Sequence, residues 1–409
     1  MPPSRLHPFR LSRRQSLALF GASVAGLAGP AFSQTGIAWA AIEAKARGQK
    51  VFFNAWGGSE RTNIYLQWAA SEAGKRFGLQ VEHVKLTDTA EAVKRVRSEK
   101  AAGKQTGGSV DLIWINGENF LTMKREELLF GPFSESLPNY KWVDVIGKPT
   151  TRNDFSEPVD GLEAPWGMAQ FTFFADRKRV PKPPLSMAEL AAFARANPGR
   201  VSYPRPPDFT GTTFLKQALL ELNTDRSALY RPVTPEAFAK ATAPLWPYLA
   251  ALHPHLWRAG KQFPQTPGAI RQMMADGELL LALTFNPNEA ANEIAAKRQA
   301  ATVYSWQMSA GTVGNTHFLA IPFNSAAREA AQVFVNFLLS PEAQARKADI
   351  NVWGDPTVLA VNKLDAADRQ RFGDQPQAGQ VDQPAPVLLE PHGSWVDPLE
   401  REWLRLYGR

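Results

Sequence analysis

Three short stretches hold the side chains best suited to chemistry, and the chemistry they suit is non-covalent recognition. Trp56-Gly57-Gly58-Ser59 follows a short apolar run, so a glycine turn would aim backbone N–H groups and the Trp56 indole outward while Ser59 caps the next helix. Asn116-Gly117-Glu118-Asn119 stands where another apolar run ends, placing Asn116, Glu118 and Asn119 within reach of a ligand. Asp208-Phe209-Thr210-Gly211-Thr212 follows a proline-rich loop. There Asp208 or Thr210 can cap a helix whose first N–H groups would suit a carboxylate, phosphate or carbonyl oxygen. Tyr203 and Phe209 could sandwich a planar group, while Trp166, Asn286 and Trp353 stand at turns or strand ends that could line a cleft. Each of these residues has a packing or capping role as its alternative. The ligand's charge stays open. Trp56, Trp166 and Tyr203 with Glu118 and Glu289 suit an organic cation, whereas the helix starts at Ser59 and Gly211 suit an anion.

Covalent chemistry has little support. The chain lacks His-Glu-x-x-His, Gly-x-Ser-x-Gly and a glycine-rich nucleotide loop, and its six histidines do not cluster. It has no cysteine, which excludes disulfides, thiolate metal sites and cysteine nucleophiles. No cofactor and no metal is expected. A hydrolase built from scattered carboxylates and a scaffold that binds only proteins remain as rivals.

The elements that must position these stretches read as α/β. Apolar runs at residues 51–54, 79–84 and 110–116 alternate with helical periodicity at 59–77 and 88–103, which predicts a parallel sheet with helices on both faces. Residues 164–175 read as one long strand leaving this unit. A second unit follows, with helices at 187–196, from about Phe214, at 235–252 and at 267–276, and strands at 200–203, 278–285 and 302–307. Residues 315–322 form a second strand fit to cross back, before an apolar helix over 326–339. His317 on that strand is a candidate pH-sensitive contact or a structural histidine. Residues 395–407 read as a terminal helix docked through Trp403 and Leu404.

At 409 residues, with 44% hydrophobic and 21% charged residues, the chain has the length for two domains and the composition of a globular protein. The formal charge of +7 falls to +3 without residues 1–40, which hold Arg5, Arg10, Arg13 and Arg14 and no acidic residue. No later basic run tracks a phosphate backbone, so nucleic acid is not an expected partner. Residues 1–40 read as an export signal. A basic segment precedes an apolar run too short to span a bilayer, and Ala38-Trp39-Ala40 or Ala31-Phe32-Ser33 offers a cleavage site. Ser12-Arg13-Arg14-Gln15-Ser16-Leu17 resembles a twin-arginine signal, with Ser16 where phenylalanine is usual.

The matched blocks Phe53-Asn54-Ala55-Trp56-Gly57-Gly58, residues 107–120, 196–214, 283–287 and 336–349, and Val352-Trp353-Gly354-Asp355-Pro356 make the chain resemble periplasmic solute-binding components of ABC importers, of the YnjB type. The likeness runs over residues 42–407. It implies a two-lobed periplasmic-binding-protein fold of type II kind, with the ligand cleft between lobes joined by crossing strands. On that reading, residues 41–165 form lobe 1, 166–317 lobe 2 and 318–350 the return to lobe 1, with the lobe of the helical segment 351–409 unassigned. The resemblance also implies a small-molecule solute, an inner-membrane permease with a cytoplasmic ATPase, a monomer, and a periplasmic location. Related binders take thiamine and polyamines, which favours a small organic cation. Members of the family usually leave by general secretion, so the paired arginines are a departure.

Overall fold

The computed structural model describes residues 32–373 and 377–408, so most of the expected export signal lies outside the described residues. Helix α1 (Phe32–Ala46) precedes the first strand and runs through Ala38-Trp39-Ala40. Trp39 and Ile42 pack on the first core, and the Trp39 indole donates to Glu43 at 2.8 Å.

Val51, Phe53 and Ala55 alternate into that core, as one face of a strand must, and define β1 (Lys50–Trp56). Ser59 accepts from the Thr62 N–H and starts α2 (Glu60–Phe77), which ends at Gly78 in a left-handed conformation. Strand β2 (Gln80–Leu86), α3 (Ala90–Ala101), β3 (Leu112–Ile115) and α4 (Gly117–Arg125) complete the unit. The three strands are parallel, with Phe53 opposite both His83 and Leu112, so their carboxyl ends share one edge.

A two-residue hairpin, β4 (Asn153–Asp154) and β5 (Glu157–Pro158), precedes the expected long strand, which is broken at Phe171 into β6 (Glu163–Gln170) and β7 (Thr172–Asp176). The second unit holds α5 (Met187–Ala196), α6 (Phe209–Leu222), α7 (Pro235–Thr242), α8 (Leu245–Leu252), α9 (Pro267–Ala275), β8 (Leu281–Thr284), α10 (Glu289–Ala295) and β9 (Val303–Trp306). Residues 200–203, read as a strand, form no ladder. Arg200 and Val201 instead accept single backbone bonds from Leu280 and Trp257. Strand β10 (Thr312–Ala320) returns to the first sheet and is buried along its whole length. Then follow α11 (Arg328–Leu338), α12 (Pro341–Ala348), α13 (Ala366–Gln370), β11 (Val387–Leu389) and α14 (Val396–Tyr407).

The larger sheet runs β11-β10-β3-β1-β2, with β6 also on β10, and the smaller runs β8-β7-β9. Separate cores form on the two units. Val358, Leu359 and Leu364 join the first, while Trp395, Leu399 and Trp403 join the second. The chain therefore passes between the two cores at β6–β7, at β10 and again beside β11, giving a two-lobed fold.

The antiparallel β6–β10 pairing shifts register between His317, opposite Gly167, and Phe318, opposite Pro165. Pro165 has no N–H for the ladder, so the extra residue is Trp166, and the bulge turns its ring into the core. Gly167 is a steric requirement, because a Cβ there would land on the Asp355 carboxylate and the His317 ring. Glu163 at the start of β6 is fully buried and neither carboxylate oxygen has a partner among the described residues. Burial, reinforced by nearby Asp154, pushes its carboxyl well above the usual range.

The folded chain thus holds a proton on Glu163 that the unfolded chain releases above about pH 4.3. That stability is present at acid pH and is lost by about 1.4 kcal/mol per pH unit as pH rises toward the folded value. Glu163→Gln, which cannot ionise, should raise the melting temperature at pH 8 and change it less at pH 5; an equal change at both would refute the protonated carboxyl.

Candidate functional site

The candidate residues lie at the ends of β1 and β3 and on α4 of the first lobe, and on α6 and α14. Trp56 ends β1 with 43% of its surface exposed, and its ring lies over Gly58, where a Cβ would strike the indole. Asn116 takes the extended N-cap position of α4 without capping through its side chain. The Gly117 N–H goes instead to the Asp154 carboxylate at 2.7 Å, which leaves the Asn116 amide beside half-buried Glu118 and Asn119.

On the facing lobe, Asp208 accepts from the N–H groups of both Thr210 and Gly211, at 2.9 and 3.1 Å. The helix start expected to offer open donors is thus already filled by a carboxylate of this chain. Gly211 is required because a Cβ would meet the Pro204 carbonyl. Phe209 stays 39% exposed, edge-on to Phe285 at 5.3 Å. Thr212 donates to Glu400 of α14 at 2.6 Å.

Charge gathers behind this surface. Lys216 and Glu390 form an ion pair at 2.7 Å, each side chain only 1% exposed, and Asn315 donates to the same carboxylate at 3.0 Å. The Lys216 ammonium lies 4.4 Å from the Phe155 ring centre and 5.3 Å from that of Phe209. Burial raises the Glu118 carboxyl, with Lys216 pulling it down and Asp88 and Glu390 pushing it up. Burial likewise pushes Glu400 up to about 7; Thr212 and Lys216 oppose the shift, and Glu118 and Asp397 add to it. Glu118 on α4, Glu390 just after β11, Glu400 on α14 and Asp154 of β4 therefore all interact with one lysine.

Other candidate residues are placed differently. Tyr203 lies inside the second core, stacked on Phe214 at 4.2 Å. Its hydroxyl accepts from Trp403 at 2.8 Å and is hydrogen-bonded to Nε2 of His253 at 2.7 Å, whose imidazole burial holds neutral, with a pKa of about 4. Trp166 is fully buried with Trp114, Trp353 and Tyr65 around it, and its indole N–H has no partner among the described residues. Trp353 packs there from a loop after α12. Asn286 accepts from the Asn288 N–H at 3.0 Å in the turn into α10. Glu289, one of the carboxylates considered for a cation, pairs with Arg271. Lys216, Glu390, Glu400 and Phe155 escaped sequence reasoning because their meeting depends on where the C-terminal segment docks. An isolated lysine within an apolar helical run was the available signal.

The two cores joined by crossing strands make a two-lobed α/β fold. The sequence agrees. Residues 68–368 match the family model described as bacterial extracellular solute-binding protein, and the chain belongs to that family. It is 50% identical over 370 residues to Protein YnjB of Escherichia coli (strain K12), a span covering 90% of this chain and 94% of that one. Among solved structures, it resembles the spermidine/putrescine ABC transporter substrate-binding protein PotD from Streptococcus pneumoniae, with 14% identity, a TM-score of 0.60, and coverage of 88% and 100% of the two chains. It also resembles the periplasmic binding protein AfuA from Actinobacillus pleuropneumoniae, with 15% identity, a TM-score of 0.60, and coverage of 88% and 99%. The chain is an extracellular solute-binding protein and not an enzyme. Among the described residues no helix is long and apolar enough to cross a membrane.

Removing the lysine tests the charge arrangement. Lys216→Met would strand Glu390 in the interior and should cost about 3–5 kcal/mol of stability by chemical denaturation. Adding Glu390→Leu should recover most of it; no recovery in the double variant would show that the two groups do not act as a pair.

Proposed function

We propose that the chain captures a small organic cation between its lobes and delivers it to an inner-membrane ABC permease powered by a cytoplasmic ATPase. The convergence of Glu118, Glu390 and Glu400 on a single lysine carries this reading. Trp56, Phe209 and Phe285 supply aromatic surface for the cation's apolar body, and Asn116 and Asn119 supply directional polar contacts. Occupation of the Thr210 and Gly211 N–H groups by Asp208 removes the main argument for an anion. Thiamine and polyamines are the solutes we favour. The remaining residues named from sequence, Gly58, Ser59 and Asn286, shape the rim, whereas Trp166, Tyr203 and Trp353 support the walls from within.

Capture follows from closure. Ligand contacts from both lobes stabilise the closed state only by the difference between its closed-state and open-state affinities. The protein works in the periplasm as a monomer, and the Arg13-Arg14 pair in its basic leader supports export by the twin-arginine route.

A thermal-shift screen of the exported protein against thiamine, spermidine, putrescine, amino acids and sugar phosphates tests the ligand class. A cation at about 100 times its dissociation constant should add about 2.7 kcal/mol of stability. Glu118→Gln and Glu400→Gln should each weaken that cation about ten- to hundredfold. A shift given only by sugar phosphates would overturn the charge assignment while leaving the family intact.

A further inference from the structure

The lobes are tied together at a second place that offers the solute nothing. Residues 349–356 leave α12 and fold back on it. Trp353 N–H donates to the Asp349 carbonyl at 2.9 Å, and Gly354 N–H to the Lys347 carbonyl at 3.0 Å. Buried Asp355 fixes the base of this loop to the first lobe by accepting from Lys347 and from His317, the latter at 2.8 Å. Side-chain donors from both lobes meet this loop's carbonyls.

From the first lobe, Arg61 on α2 donates to the Ile350 carbonyl at 2.9 Å and, through its other terminal nitrogen, to the Asn292 carbonyl of α10 at 2.9 Å. From the second lobe, the Asn292 side chain donates to the Trp353 carbonyl at 2.6 Å and the Asn288 side chain to the Gly354 carbonyl at 2.7 Å. Gly354 has φ of +81°, and a Cβ there would collide with the Asn292 amide, so the close approach requires glycine. Asn292 is 2% exposed, which means its bonds are made out of water and are lost only if the lobes separate.

We propose that Arg61, Asn288 and Asn292 are positioning residues for solute capture: they latch the lobes shut and set the closed fraction without contacting the solute. A binding protein whose competent state is only partly populated binds with its intrinsic affinity reduced by that fraction. The latch therefore tunes affinity through the equilibrium between states, whatever the solute's charge.

The absence of cysteine permits a direct test on the unliganded protein. Gln67→Cys on α2 and Ala239→Cys on α7, both exposed and in different lobes, can carry spin labels for a distance distribution by pulsed electron resonance. The otherwise unaltered protein should show a short-distance population. Asn292→Ala should reduce that population at least about threefold, and Asn288→Ala should reduce it less, with cooperative melting retained in both. Arg61→Lys, which keeps the charge and loses the fork, should fall between the unaltered protein and Arg61→Ala. Identical distributions in the unaltered and Asn292→Ala proteins, or no short population in the former, would overturn the proposal.

Discussion

One buried carboxylate holds the architecture together. Asp355 lies where β6, β10 and the loop after α12 meet, and it accepts from His317 on the crossing strand and from Lys347 on α12. Burial alone would raise its carboxyl, yet His317 and Lys347 hold it below the usual range, so it stays ionised inside the protein. Burial lowers the Lys347 ammonium while the carboxylate opposes that shift. An ionised group in such a place is tolerated only when its partners are fixed. That condition requires Gly167 opposite His317 and the bulge at Trp166, and it sets the path by which the chain leaves and re-enters the first lobe.

The cleft inherits its geometry from that junction. Because β1 and β3 run parallel and end together, Trp56 and Asn116 reach the same edge. Because α6 is tied to β10 through Gln217, which donates to the Gly311 carbonyl at 3.1 Å and accepts from Val313 N–H at 2.9 Å, its first turn is held across the gap. Glu400 arrives on α14, whose Trp403 and Leu399 anchor it to the second core. On the proposed reading, a cation beside Glu118 and Glu400 would offset the repulsion between these two carboxylates.

Much of this was legible beforehand. Strand and helix periodicity located the parallel unit, Ser59 marked the start of its helix, Asp208 was one of two caps considered for a helix that begins five residues earlier than expected, and the two crossing strands stood out as apolar runs bounded by turns. Tyr203 illustrates what was not legible. A tyrosine beside a proline-rich loop suits a ligand sandwich, but its neighbours Phe214, His253 and Trp403 are far away in the chain and enclose it. Residues 200–203 had the composition of a strand, yet no neighbouring strand lies alongside to complete a ladder. The cluster of Lys216, Glu390 and Glu400 depended on docking of the last segment, which local patterning does not encode.

In the proposed function, the cleft would hold a cation beside Glu400, whose carboxyl burial pushes up to about 7. Calorimetric titration of the stabilising solute near pH 7, in buffers of differing ionisation heat, measures that carboxyl's proton exchange directly. With Glu400 near pH 7 in the free protein, a bound cation should lower its pKa, release on the order of half a proton per solute, and bind more tightly as pH rises from 6 to 8. Proton uptake, or affinity that falls over the same range, would contradict the account.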